Sequence, residues 1–156
     1  MGDIINQWNA TVAPIAQNLP GGYLTWSDLT ANIYAFLFPD YFDVGLSIFA
    51  EATKQPVTLG EIFTLPIAPA MSTFSGPALV LTGQNDNIYC GGDCFATGGA
   101  GSSIPEVSVA PAFPNASAFE AYIQPNTGHG INLHYNSTAA FQVIQDWFNN
   151  HDLQSS

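Results

Sequence analysis

Two residues of the sequence have types and positions that suit acid–base chemistry, namely Asp86 and His129. Each follows a short apolar stretch, and His129 is flanked by Gly128 and Gly130, which permit the tight backbone turn that such a loop requires. A carboxylate that accepts a hydrogen bond from an imidazole fixes the tautomer of the ring and stabilises the imidazolium that forms on proton uptake. The two residues would therefore make a general base if the fold brought them together.

The elements that would position this pair lie in the second half of the chain, residues 76–150. Ala78–Thr82 is a continuous apolar run, which is typical of a strand buried on both faces, and it ends just before Asp86. Phe119–Gln124 predicts a second strand, which ends just before His129. Because functional groups in open α/β sheets lie beyond the carboxyl ends of the strands, both residues are predicted at one edge of a sheet.

An amphipathic helix is predicted after the loop that carries His129, which we call the histidine loop. The helix is predicted to begin near Ser137 or Thr138, either of which could cap it. The order of strand, acid loop, crossover, strand, histidine loop and helix is that of the last part of an α/β sheet. Two strands do not complete such a sheet, so we expect its other strands to lie outside this chain. Residues 151–156 are expected to form a polar tail. The predicted core face of the helix contains Ala140, Phe141, Ile144, Trp147 and Phe148.

Residues 1–75 predict a different organisation, a proline-rich helical segment of the kind that forms a lid or cap. One helix is expected over 25–38, where Thr25 and Asp28 match a capping box, and a second from about Tyr41 to Thr53. No strand alternation is found in this half, so we expect it to be wholly helical. The inward face of the second helix is predicted to hold Val44, Ile48 and Phe49.

The charge composition limits the kinds of molecule that the chain is expected to bind. The chain has 156 residues, of which 12 are acidic and only Lys54 is basic apart from histidine, giving a formal net charge of −11. Nucleic acids and anionic membrane surfaces are therefore excluded as partners, because both are bound through Lys and Arg. No apolar run reaches the length of a membrane-spanning helix.

Three N-glycosylation sequons, which begin at Asn9, Asn115 and Asn136, predict a secreted glycoprotein. Glycans would also explain how a chain with so few charges stays soluble. The N-terminus, however, lacks the basic start, apolar region and small-residue cleavage site of a signal peptide. We therefore expect the natural N-terminus of the protein to lie upstream of Met1.

The only two cysteines, Cys90 and Cys94, lie in a glycine-rich loop after Asp86. In a secreted protein they would form a local disulfide, whereas in a cytosolic protein they would be free thiols. Together with His129 they are too few for a closed zinc site, so no metal is predicted. No cofactor-binding motif is predicted either.

The segments around the acid and the histidine carry a resemblance. ALVLTGQNDNIYC (residues 78–90) and FEAYIQPNTGHGINLHYN (residues 119–136) are similar to the acid-bearing and histidine-bearing strands and loops of secreted, fungal-type α/β-hydrolases. The resemblance implies that Asp86 is the acid and His129 the base of a catalytic triad. Asp93, which lies in the same loop as Asp86, is the alternative acid.

The same resemblance implies a nucleophilic serine on Gly-x-Ser-x-Gly, and this sequence has no such motif. Gly45-Leu46-Ser47 lacks the second glycine and lies in a helical pattern. We therefore interpret the chain as the C-terminal part of a serine hydrolase that cleaves an ester or amide bond in a small-molecule or peptide substrate. Its implied partner is the missing N-terminal half, without which it would be inactive. The alternative is a non-catalytic, secreted acidic glycoprotein or binding subunit.

The chain has two further histidines, His134 and His151. His134 lies five residues after His129 and is predicted to be structural or near the rim of the site. His151 lies in the polar C-terminal tail and is predicted to be solvated.

Overall fold

The computed structural model describes residues 21–65 and 71–153 and has a mixed α/β structure. Strands β3 (Ala78–Gly83) and β4 (Phe119–Gln124) form a parallel two-stranded sheet. Their register pairs the first residue of β3 with the first of β4 and Gly83 with Gln124, so the two strands end level with each other. The two strands predicted from the sequence are therefore confirmed, and the loops that follow them leave the sheet at the same edge.

The crossover between the strands is mostly irregular. Its helical parts are a π-helical turn at Pro105–Val109 and a 3₁₀ turn at Ala110–Ala112. Both turns contain a proline in their first positions, where the missing N–H has no intrahelical partner to lose. Proline spacing in this segment thus allows single helical turns but no long crossover helix.

Helix α4 (Ser137–Asn150) follows the histidine loop and agrees with the predicted start. The capping prediction is wrong: the residue at the N-cap position is Asn136, and no side chain caps the helix. Of the predicted core face, Ala140 and Trp147 are buried, while Phe141 and Phe148 are 48% and 40% exposed. The amphipathic pattern was therefore correct, but the described chain covers only part of the apolar face.

The first half contains β1 (Tyr23–Leu24), α1 (Leu29–Phe36), α2 (Val44–Thr53), β2 (Val57–Thr58) and α3 (Leu59–Thr64). The expectation of a wholly helical segment is wrong, because β1 and β2 pair as an antiparallel ribbon. Strands of two residues are too short to show the alternation by which strands are recognised in a sequence. Among the described residues, no helix is both long and apolar enough to cross a membrane.

The predicted capping box at Thr25 is wrong, because the N-cap residue of α1 is Asp28. The N-cap residue of α2 is also an aspartate, Asp43. The Asp28 side chain caps α1 by accepting a hydrogen bond from the Ala31 amide at 2.9 Å, and Asp43 caps α2 by accepting from the Leu46 amide at 2.8 Å. Aspartate is favoured at this position because its carboxylate satisfies an otherwise unpaired amide of the first turn.

The predicted inward face of α2 is also wrong. Val44, Ile48 and Phe49 are 63%, 53% and 62% exposed, whereas Ser47 is buried. The sequence VGLSIFA places apolar residues around most of the helix, so the pattern does not define which side packs. The packing of α2 against the rest of the chain is decided by its neighbours.

The end of β3, the histidine loop and the end of α1 are in backbone contact. A β-carbon on Gly83 would lie 2.2 Å from the carbonyl oxygens of both Thr127 and Gly128. A β-carbon on Gly128 would lie 2.6 Å from the carbonyl oxygen of Phe36, the last residue of α1. Only glycine fits at these two positions, and this close approach fixes how far the histidine loop lies from β3.

Replacing Gly83 with alanine should destabilise the fold, because the added methyl group would overlap two backbone carbonyls that cannot move independently. Overpacking of this kind typically costs about 1–3 kcal/mol. The measurement is the free energy of unfolding from denaturant titration. Gly21→Ala is the matched control, because a β-carbon at Gly21 meets no atom within 4 Å. Equal stability of the two variants would contradict this packing.

Candidate active site

The structure brings Asp86 and His129 together at the shared carboxyl edge of β3 and β4. The His129 Nδ1 lies 2.9 Å from the Asp86 Oδ2, within hydrogen-bonding distance. Asp86 comes three residues after the end of β3, and His129 comes five residues after the end of β4. The level ends of the parallel strands thus convert two residues 43 positions apart into a contact pair.

Asp86 is fully buried, and each of its carboxylate oxygens has two partners. Oδ1 accepts hydrogen bonds from the amides of Ile88 at 2.7 Å and Tyr89 at 3.0 Å. Oδ2 accepts a hydrogen bond from the Thr82 hydroxyl at 2.6 Å in addition to the contact with His129. A buried carboxylate is tolerated only when its oxygens are satisfied in this way.

These partners also decide the protonation state of Asp86. Burial pushes the pKa of this carboxyl upwards, because it penalises the charged form. The hydrogen bonds from His129, Thr82 and the Tyr89 amide, with the attraction of His129, outweigh burial and lower the pKa to about 2 from the ordinary value of 3.8. Asp86 is therefore an ionised acceptor throughout the neutral range.

His129 contacts Asp86 through Nδ1 and is one of the residues that line a cavity. Because ionised Asp86 can only accept a hydrogen bond, Nδ1 of His129 carries a proton, and Nε2 of the neutral ring has a free lone pair. Nε2 has no hydrogen-bond partner within the described ranges. The side chain of His129 is 32% exposed, and its ring is flanked by Phe36 and Tyr89 at centroid distances of 5.6 and 5.3 Å. The arrangement is that of an oriented general base with an accessible basic nitrogen.

A mostly apolar cavity of about 380 Å³ adjoins His129. One serine, Ser108 of the π-helical turn, borders it, and sequence reasoning did not single this residue out because no motif surrounds it. Ser108 makes no hydrogen bond to His129, so the described residues hold no paired serine nucleophile. The apolar part of the lining comprises Val80, Leu81, Ile104, Pro105, Val109 and Ile131.

Cys90 and Cys94 form a disulfide, which confirms the predicted pairing. The bridge closes a tight loop after Asp86, in which the amides of Cys90 and Gly92 donate to the Asp86 carbonyl at 3.2 and 2.9 Å. The Cys94 amide donates to the Gln84 carbonyl at 2.9 Å. The amides of Ile88 and Tyr89, which donate to the Asp86 carboxylate, lie between Asp86 and this disulfide-closed loop.

Asp93, the alternative acid, is exposed, and its carboxylate accepts a hydrogen bond from the Phe95 amide at 2.9 Å within its own turn. It makes no contact with His129. Ser47, in the incomplete Gly-Leu-Ser sequence, is buried in α2, where its hydroxyl donates to the Val44 carbonyl at 2.8 Å. Neither residue is placed to take part in chemistry at His129.

His134 is buried behind the histidine loop. Its Nε2 lies 3.0 Å from the backbone nitrogens of Phe38 and Gly128, and its Nδ1 lies 3.0 Å from the carbonyl oxygen of Gly130. Burial lowers the pKa of this histidine, although the hydrogen bond to Gly130 opposes the shift. His134 is thus a neutral residue of the interior.

His151 is not solvated as predicted. Its ring packs against Trp147 at a centroid distance of 4.6 Å, and Nε2 lies 2.9 Å from Glu120 Oε1. The prediction failed because α4 ends at Asn150 and leaves the next side chain within reach of the previous turn. His151 lies on the α4 side of the sheet and has no contact with His129.

The sequons have different surroundings. Asn9 lies outside the described residues, and Asn115 is exposed in a turn before β4. Asn136 is half-buried, and its side chain donates to the Pro125 carbonyl at 2.7 Å and accepts from the Thr127 hydroxyl at 3.0 Å. The Asn115 side chain is therefore accessible for attachment of a glycan. The Asn136 side chain is instead hydrogen-bonded to Pro125 and Thr127 at the start of the histidine loop.

Comparison of the chain with models of known protein families gives no match, and no curated protein is detectably similar to it in sequence.

Asp86 should make the stability of the fold pH-dependent at low pH. Its pKa is lower in the folded chain than in the unfolded chain, so the unfolded state binds more protons between about pH 4 and pH 2. The stabilisation is present above pH 4 and is lost as the pH falls through about 2, a total of roughly 2 kcal/mol.

The measurement is the free energy of unfolding between pH 2 and pH 6 for the wild type and Asp86→Asn, with Asp93→Asn as an exposed control from the same loop. The difference between wild type and Asp86→Asn should shrink as the pH falls, while Asp93→Asn should follow the wild type. Parallel curves for wild type and Asp86→Asn would show that Asp86 does not titrate with a lowered pKa.

Proposed function

We propose that this chain supplies the acid and the base of a secreted serine hydrolase of the α/β-hydrolase fold, and that the nucleophilic serine lies on polypeptide outside the chain. The observation that carries the proposal is the contact at 2.9 Å between buried Asp86 and His129, whose Nε2 remains unpaired. A histidine with a purely structural role does not require a fully buried carboxylate at one ring nitrogen and an accessible lone pair at the other, whereas a general base requires both.

The chemistry is acyl transfer from an ester or amide. His129 Nε2 would accept the proton of the serine hydroxyl as its oxygen attacks the substrate carbonyl. The imidazolium that forms is stabilised by ionised Asp86, and it then returns the proton to the leaving alcohol or amine. The apolar cavity beside His129 is suited to the non-polar part of a small-molecule or peptide substrate.

The open edge of β3 supports the presence of further strands. The amides of Ala78 and Gln84 donate towards β4, to Ala118 and Gln124. In a parallel ladder alternate residues face each neighbour, so the backbone groups of Leu79 and Leu81 point away from β4. No strand within residues 21–65 and 71–153 pairs with that edge.

A parallel strand added beside β3 would end at the same edge as Asp86 and His129. That edge is where a strand-to-helix elbow presents its serine in the α/β-hydrolase arrangement. The exposed apolar side chains of α2 and α4 also fit this proposal, because a larger domain would cover them. They include Val44, Ile48, Phe49, Phe141 and Phe148.

The disulfide and the exposed sequon at Asn115 support secretion, because disulfides persist in oxidising compartments. The partner of this chain would be the nucleophile-bearing half of the enzyme. With a net charge of −11 and one lysine, the surface offers nothing to nucleic acid or to an anionic membrane.

A serine-directed phosphonate tests the proposal in protein purified from its natural source. The expected result is a covalent adduct on a serine outside this chain, located by peptide mass spectrometry, with Ser108 unmodified. An adduct on Ser108 would place the nucleophile within this chain and overturn the proposal. The absence of any adduct would favour the alternative, a non-catalytic secreted binding protein.

The dependence on His129 is tested in the same assay with protein expressed from the complete gene. His129→Ala should reduce the rate of labelling by about 10⁴-fold or more, because the serine loses its base. His151→Ala is the matched control and should label at the wild-type rate, since His151 packs on Trp147 and has no contact with the site.

A further inference from the structure

His134 is a buried ionisable residue that the proposed chemistry does not use. It is only 3% exposed, and both ring nitrogens are engaged with backbone groups. Its position five residues after His129 gives no hint of this role in the sequence. The backbone groups that it contacts nevertheless belong to the two residues that flank His129 and to the segment that follows α1.

The donors and acceptors around His134 define its tautomer. Phe38 and Gly128 each present a backbone N–H to Nε2 at 3.0 Å, so Nε2 must be the acceptor of both hydrogen bonds. Nδ1 then carries the proton and donates it to the Gly130 carbonyl at 3.0 Å. The neutral Nδ1–H form satisfies every contact, whereas a protonated ring would leave two amides facing a donor.

The His134 ring is therefore hydrogen-bonded to the backbone of both neighbours of His129. Gly128 is held through its N–H and Gly130 through its C=O, and Gly130 also donates its amide to the Phe36 carbonyl at 2.7 Å. The close approach of Gly128 to Phe36 leaves no room for the loop to shift towards α1. The side chain of His129 is hydrogen-bonded to Asp86 and not to His134.

We propose that His134 is a positioning residue, which clamps the backbone on both sides of His129 to the segment after α1 and so holds Nδ1 of His129 against Asp86. Its relevance to catalysis rests on the proposed function, but the clamp itself is a property of this chain. It acts through the loop and does not touch substrate.

Three variants distinguish the effect of losing the hydrogen-bond acceptor Nε2 of His134 from the effect of losing its donor Nδ1–H. His134→Phe keeps the ring volume and removes all three hydrogen bonds. His134→Gln places an amide oxygen near the position of Nε2 and can accept from Phe38 and Gly128. His134→Asn places its amide near the position of Nδ1 and can bond only towards Gly130. His151→Phe is the control for loss of a histidine elsewhere.

The readout is the nuclear magnetic resonance signal of the His129 Nδ1 proton in the full chain, whose exchange with water is slowed by its hydrogen bond to Asp86. We expect the signal to be lost or broadened in His134→Phe and His134→Asn, and retained in His134→Gln and His151→Phe. An unchanged signal in folded His134→Phe would overturn the proposal.

If His134→Phe does not fold, the amide variants decide the question. Retention of the signal in His134→Gln with its loss in His134→Asn supports the clamp, and the reverse order or equal behaviour overturns it. The magnetic resonance measurement does not depend on hydrolysis. If the phosphonate labelled no serine, the proposed function would be contradicted, but the proposed role of His134 in positioning His129 would not.

In the complete enzyme His134→Asn should lower kcat about 10-fold or more with KM little changed, because the base is misplaced after substrate has bound.

Discussion

The burial of Asp86 is the constraint on which the site depends. A carboxylate removed from water destabilises a fold by several kcal/mol unless hydrogen-bond donors surround it. Here the donors come from three parts of the chain: the hydroxyl of Thr82 on β3, the amides of Ile88 and Tyr89 in the turn after Asp86, and the ring of His129. The parallel register, the turn after Asp86 and the loop that carries His129 must all be in place before the charge is satisfied, so the structure that stabilises Asp86 also orients His129.

Backbone contacts hold these parts at the required separation. Gly83 and Gly128 let the end of β3, the histidine loop and the end of α1 approach without side chains between them, and the His134 ring joins the loop to the segment after α1. A base that must accept and return a proton needs a position fixed to a fraction of an ångström. Contacts between backbone groups provide this more rigidly than long side chains would.

The sequence predicted the parts of this arrangement that have a local signal. The continuous apolar run of β3 and the glycines around His129 are visible without any knowledge of the fold. The burial of His134 is not, because one of its partners is the amide of Phe38, 96 residues away. The exposure of Phe141 and Phe148 differed from prediction for another reason: an amphipathic pattern shows which face is to be buried, but the surface to cover it need not belong to the same chain.

We propose that the acid and base of this chain serve a serine encoded upstream of it, and sequencing the messenger RNA on the 5′ side of the Met1 codon tests this directly. We expect an open reading frame that continues upstream in frame and encodes a signal peptide and a Gly-x-Ser-x-Gly elbow between a strand and a helix. An in-frame stop codon upstream of Met1, with no other start codon between them, would contradict it, because the chain would then be made without a nucleophile.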